Sequence, residues 1–388
     1  MNMIRDYEIV KYQPDFKKEV VELQRHLWSP DPELNTAYLE WKHECNPYLQ
    51  PPLIYLALYG KNVVGMRSMF GIRWECGIPA KTVSGVCPDD LVIASGHRNR
   101  GLIVNIMRAA FEDLEKKGYQ YVYSLSAGRI TRLGSLAMGW RSAGSMQPQH
   151  WHSRRAEYFQ RVRKFAGKTR FLRRFADRLP CRHWVERQQN LHELCNPEGM
   201  HSRTIGSRIV VEKAARAGEM AELVSRIDYD GRIRHVRDKE YLSWRFRNPL
   251  HRYLFLYWIE KDLEGYLVLQ QYVSEISLSK VRVNIVDWEA TSQRVRAGLL
   301  RAAIHLRPFA DLNIWTATLG NETKNLLRDV GFAPVQEGQE GAGVDQEQPC
   351  LLVRSIRADV PEAAWSLENR RLPDISDWDI RMIYSMQG

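Results

Sequence analysis

GHRNRGLI, residues 96–103, sets two arginines, an asparagine and a glycine between apolar patterns of different period. Upstream, DDLVIAS (89–95) reads as a buried strand. Downstream, Ile103, Ile106, Met107, Ala110, Phe111 and Leu114 recur at three and four residues and predict an amphipathic helix ending near Gly118. The stretch is therefore a strand-to-helix turn. At a helix N-terminus the first N–H groups lack intrahelical acceptors and the dipole is positive, which makes an anion cradle. Gly101 lets the main chain approach a bulky anion closely, while Arg98 and Arg100 add full charges.

The chain around this turn says similar things twice. YLEWKHECNPY (38–48) and YLSWRFRNPLHRY (241–253) each place Tyr-Leu-x-Trp before a basic residue, then Asn-Pro and a further Tyr. A strand-like run and an amphipathic helix precede each one, and an alternating apolar hairpin follows it: PPLIYLALYGKNVVGMRSMF and RYLFLYWIEKDLEGYLVLQQYV. Each copy then runs strand, helix, strand and a closing Gly-aromatic pair, Gly139-Trp140 and Gly331-Phe332. A repeat offset of about two hundred residues is far longer than any solenoid period, so two copies of one α/β domain are expected.

In Arg98-Asn99-Arg100-Gly101-Leu102-Ile103, the Arg-x-x-Gly-x pattern between strand and helix resembles the pyrophosphate-binding motif of the GCN5-related N-acetyltransferase (GNAT) superfamily. Ile103 stands where the family favours a small residue. HRNRGL also resembles the matching turn of two-domain, enhanced-intracellular-survival type acetyltransferases. The superfamily order of elements is followed from Tyr7 to about His152, with YQYVYSLS (119–126) after the motif helix and LGSLAMGW (133–140) closing the next one. The resemblance implies an α/β fold with a mixed sheet in tandem duplication. The expected division is a GNAT domain at 1–152, a basic amphipathic connector at 153–200, a degenerate second copy at 201–356 and a tail at 357–388. The second copy reads Ser292-Gln293-Arg294-Val295-Arg296-Ala297-Gly298 at the turn, with Ala297 in the glycine place unless Gly298 is shifted into it.

The resemblance further implies an enzyme, an N-acyltransferase using acetyl-CoA or a longer acyl-CoA and no metal. The diphosphate would rest on residues 98–103 and the pantetheine along Val92, Ile93 and Ala94, and a strand N–H would stabilise the oxyanion formed when an amine attacks the thioester. Candidate general bases are Asp89 and Asp90, of which strand alternation allows one into the cleft. His152, which shares a strand face with His150, is a third candidate. Ser135 occupies the place of the superfamily's frequent tyrosine acid, and Leu327 does so in the second copy. Trp41 and Trp244 are expected to pin each copy's own core.

Composition sets the frame. The 388 residues are 44% hydrophobic and 26% charged, which suits a globular chain, and the net charge of +10 favours anionic partners. No apolar run approaches ~18 residues and the N-terminus lacks a secretory pattern, so a cytoplasmic protein is expected. Six scattered cysteines without a CxxC pair predict reduced thiols. Residues 153–184 carry eleven Arg or Lys against two acidic residues, with phenylalanines about a turn apart, and offer a peripheral contact to an anionic membrane surface. The expected acceptor is a primary amine of a bacterial cell-envelope precursor, on an amino sugar or a lipid. A long-chain acyltransferase of the bacterial ceramide synthase type, a non-catalytic adaptor and a nucleic-acid binder are the alternatives. The last is disfavoured because the charge gathers in a connector without a recognised binding module.

Overall fold

The computed structural model describes residues 7–125, 129–152, 202–273, 283–306, 311–334, 349–357 and 360–385. The first copy runs β1 (Tyr7–Lys11), α1 (Lys17–Gln24), α2 (Pro32–Leu39), a π-helical turn (Glu40–Glu44), β2 (Leu53–Tyr59), β3 (Asn62–Cys76), β4 (Lys81–Ile93), α3 (Leu102–Lys116), β5 (Tyr121–Ser124), α4 (Arg129–Ala137), β6 (Arg141–Ser145) and β7 (Pro148–His152). The second runs β8 (Ser202–Ile205), β9 (Ile209–Glu212), α5 (Ala217–Arg226), β10 (Ile233–His235), α6 (Lys239–Arg245), β11 (His251–Ile259), β12 (Leu263–Tyr272), β13 (Val283–Ala290), α7 (Gln293–Leu306), β14 (Asp311–Trp315), α8 (Asn321–Asp329), β15 (Ala333–Pro334) and β16 (Cys350–Ser355). Local chemistry explains the boundaries. Asp31 caps α2 by accepting from the Glu33 and Leu34 N–H groups, with Pro32 in the first turn, and Asp238 caps α6 through the Tyr241 N–H. Gly139 and Gly331, at φ of 85° and 98°, turn the chain before the buried Trp140 and Phe332.

Two mixed sheets result, and each borrows a strand from the other copy. The first has the order β1-β2-β3-β4-β5-β16-β6, so β16 from the end of the second copy sits between β5 and β6. The second has the order β15-β7-β14-β13-β12-β11-β9-β8, with β7 from the first copy between β15 and β14. The expected cut at 152 thus follows a strand of the second sheet, and that at 356 follows a strand of the first. Residues 153–184 and most of the Gly- and Gln-rich 337–349 stretch lie outside the described residues. Cys45, Cys76, Cys87 and Cys350 are free thiols.

One core spans both copies: Trp41, Trp74 and Tyr123 pack with Tyr241, Trp244, Trp378 and Ile383. The two repeated tryptophans do not pin separate cores. Their rings stack on each other, with centroids 4.8 Å apart and planes 8° off parallel. Each indole N–H donates to the other's backbone carbonyl at 2.7 Å. This reciprocal contact is what a two-fold interface between like units produces. Tail residues Trp378 and Asp379 pair in parallel with β10, which pairs in turn with the far end of β3, so the tail is part of the fold.

Candidate active site

The turn between β4 and α3 has the form the sequence predicted. Asn99 and Gly101 adopt left-handed φ values of 60° and 73°, and Gly101 caps α3. Leu102 is buried and anchors the first turn, whereas Arg98, Asn99, Arg100, Gly101 and Ile103 are exposed. A Cβ added at Gly101 would meet nothing within 4 Å, so the space over the turn is open. Among the described residues, nothing accepts from the N–H groups of Asn99, Arg100, Gly101, Leu102 or Ile103. Arg98 Nε donates to the Ile93 carbonyl at 3.1 Å, tying the turn to the strand end. Arg100 Nη1 donates to the Tyr7 hydroxyl, which also bonds His97 Nδ1 at 2.9 Å. Open amides, a positive helix end and two arginines suit a diphosphate.

The strand feeding this turn parts from its neighbour. β4 pairs with β5 only at Val86 and Val122, which leaves its second half unpaired on that side. Ala94 N–H bonds the Val64 carbonyl, and alternation gives Val92 to the β3 side as well. Of the three expected strand residues, Ile93 is the one whose backbone faces the gap. Its carbonyl accepts from Arg98, and its N–H faces the side on which β4 has no strand partner.

Asp89 and Asp90 break the alternation rule. The β3–β4 register slips between Met66 and Ser68, and Asp90 has a φ of 47°, the signature of a bulge. Both carboxylates therefore turn to one side, where buried Lys42 Nζ donates to Asp89 Oδ2 at 2.8 Å and to Asp90 Oδ1 at 2.7 Å. Asp90 also accepts from Trp28 Nε1 at 2.9 Å and Ser68 Oγ at 3.0 Å, and bonds His43 Nε2 at 3.2 Å. Four partners fill its lone pairs. Burial alone would raise its pKa, but the Lys42 charge and the His43 and Lys42 hydrogen bonds hold it well below the usual carboxylate range. Burial likewise opposes the charge on Lys42, and the two aspartates outweigh it and push its pKa up. Asp90 is thus a fixed anion. Asp89 Oδ1, by contrast, accepts no bond among the described residues.

His152 stands elsewhere. It lies on β7 in the second sheet, paired with Asp311 through Nδ1 and with its ring tilted against that of His150 at 4.2 Å, and none of these contacts reaches β4 or α3. Ser135 is buried, and its carbonyl accepts from the Trp140 N–H. Sequence reading missed Lys42, His43, Trp28 and Ser68 as members of the site. Only the basic residue after each repeated Trp hinted at them, and it was read as part of the repeat.

The second copy has no such opening. Gly298 lies inside α7, where a Cβ would come within 2.2 Å of the Trp258 ring; it is a packing glycine rather than a displaced turn glycine. Against the end of β13, Arg237 Nη1 donates to Asp287 at 2.8 Å and Glu289 at 2.7 Å, and Arg381 of the tail reaches Glu289 at 3.1 Å. Arg245, the counterpart of Lys42, donates to the tail carbonyls of Ile383 and Ser385. A polar cavity of about 160 Å³ remains between this network and α5.

No protein-family model matches the sequence, and no curated protein matches it. The structure is similar to that of a probable N-acyltransferase from Enterococcus faecalis, with a TM-score of 0.54, 11% identity and coverage of 90% of this chain and 73% of that one. It is also similar to a GCN5-related N-acetyltransferase from Anabaena variabilis, at TM-score 0.52 and 11% identity, again over 90% and 73%. A third, from Kribbella flavida, gives 0.50 and 13% over 90% and 71%. The fold is that of the GNAT superfamily. Because each likeness runs across nearly the whole chain, the GNAT fold takes in both copies. No helix among the described residues is long and apolar enough to cross a membrane, and no cluster of three or more metal-ligating side chains occurs among them.

Proposed function

We propose that the first copy is an acyl-CoA-dependent N-acyltransferase acting on a primary amine, with the second copy as its structural partner. The open turn at Gly101, with five unsatisfied N–H groups at a helix start, is the observation that carries the reading. In this reading Arg98, Asn99, Arg100, Gly101, Leu102 and Ile103 hold the diphosphate. The parted edge of β4 receives the pantetheine, and the Ile93 N–H meets the carbonyl oxygen as charge develops on it. Asp89 takes the proton of the attacking amine, and Lys42 and Asp90 fix its position. The second copy binds no cofactor, since its glycine is spent on Trp258 and its strand end on arginines.

For the acceptor we propose an amine of an envelope precursor, on a sugar or a lipid. The support is the basic, Phe-studded stretch 153–184, which would hold the protein to an anionic membrane surface. Calorimetric titration with coenzyme A tests the first reading, and absence of any heat or thermal stabilisation refutes it. Incubating cell extract with acetyl-CoA and with a long-chain acyl-CoA, followed by mass spectrometry of new amides, identifies acyl length and acceptor. Co-sedimentation with anionic vesicles tests the membrane arm; a chain that stays in the supernatant at low salt refutes it.

A further inference from the structure

Arg67 lies on β3 opposite the bulge, between Met66 and Ser68 where the register slips. Only 8% of the residue is accessible. Its Nε is sealed from solvent without an acceptor, and no hydrogen bond, ion pair or ring contact reaches its guanidinium among the described residues. Asp89 and Asp90 are near enough to act on it electrostatically, but neither accepts a hydrogen bond from it, and both are ion-paired with Lys42 instead. Lys42 and Arg67 together balance the two aspartates in charge. They do not share the work of hydrogen bonding, and the N–H donors of Arg67 are unspent.

A buried guanidinium with no acceptor is costly, and it persists where something arriving later supplies the oxygen atoms. The planar fork of an arginine matches a carboxylate with two parallel bonds. Arg67 lies across from the bulge that carries Asp89 and Asp90, on the strand paired with β4 where β4 itself has parted from β5, and its guanidinium is near enough to both carboxylates to feel their charge. We propose that Arg67 is a specificity-determining residue that binds a carboxylate carried by one of the two reactants. The inference rests on the acyl-CoA reading of the same site. A carboxylate there comes either from the acyl chain of the donor or from the amine acceptor, and the two sources separate by experiment.

The donor arm compares the affinities of succinyl-CoA and butyryl-CoA, equal in chain length and different in charge, by calorimetry. If the acyl chain carries the group, succinyl-CoA binds tenfold or more tightly than butyryl-CoA, and the Arg67→Gln variant loses the difference while binding coenzyme A as before. If the acceptor carries it, the two donors bind alike, and free succinate raises the melting temperature of the coenzyme A-loaded wild type but not that of the variant. Equal donor affinities together with no effect of succinate overturn the proposal, as does a preference that survives in Arg67→Gln. Should that variant not fold, Arg67→Lys, which keeps the charge and removes the fork, takes its place: the preference or the succinate effect is expected to weaken tenfold or more in it, and its full survival overturns the proposal. Failure of coenzyme A to bind at all would instead overturn the acyl-CoA reading, a result distinct from loss of carboxylate preference.

Discussion

Replacing Gly101 by glutamate sets an anion against the cradle at the start of α3. A side chain with Cβ costs about 1–2 kcal/mol at the left-handed φ of 73°, and nothing within 4 Å adds a clash. The fold should therefore survive with a melting temperature lower by a few degrees. Binding is a different matter. A carboxylate about 4 Å from a phosphate is repelled by about 4 kcal/mol at an effective dielectric of 20, and exposure of the turn discounts this to about 3. That corresponds to roughly a hundredfold weaker binding. Gly101→Ala carries the same backbone strain without the charge and should keep affinity within a few-fold. Calorimetry of coenzyme A binding, with melting curves as the control, measures both. Unchanged affinity in Gly101→Glu would refute the placement of the diphosphate and the mechanism built on it.

Lys42→Met leaves Asp89 and Asp90 buried without their cation and should destabilise by about 3–5 kcal/mol, read by denaturant unfolding; a change below 1 kcal/mol would show the cluster to be dispensable. Because the folded state holds Asp90 below its ordinary value of about 4, its contribution is present above that pH and is lost as pH falls. Melting temperature should accordingly decline on the acid side in the wild type and more shallowly in Lys42→Met; parallel curves would contradict this. Trp41→Ala and Trp244→Ala should each cost about 3–5 kcal/mol, and a double-mutant cycle should show coupling of about 1–3 kcal/mol, since each indole serves both the stack and the other's carbonyl. Strict additivity would mean that the stack does not join the copies. Gly298→Ala forces a methyl group into the Trp258 ring and should destabilise by about 1–3 kcal/mol without changing coenzyme A affinity; an unaffected melting temperature would place that glycine elsewhere.

The sequence by itself determined the elements and the turn. Local periodicity marked β4 and α3, Gly101 and the basic residues marked the anion site, and repeated words at a long offset marked two copies. These are properties of neighbouring residues, written in spacing and backbone preference. Tertiary structure decided everything that depends on partners. An alternating strand specifies which face is buried but not which strand lies beside it, so the exchange of β7 and β16 between the sheets left no mark in their sequences. Asp89 and Asp90 were to face opposite sides because alternation is the default. One extra residue in β4 turned both onto Lys42, and the bulge shows only in its register with β3. His152 sat near the Gly-Trp corner in the sequence yet lies in the second sheet, because the chain crosses over after β6. Trp41 and Trp244 were legible as equivalents. That they are each other's partners follows from a symmetry between copies, which exists only once both have folded.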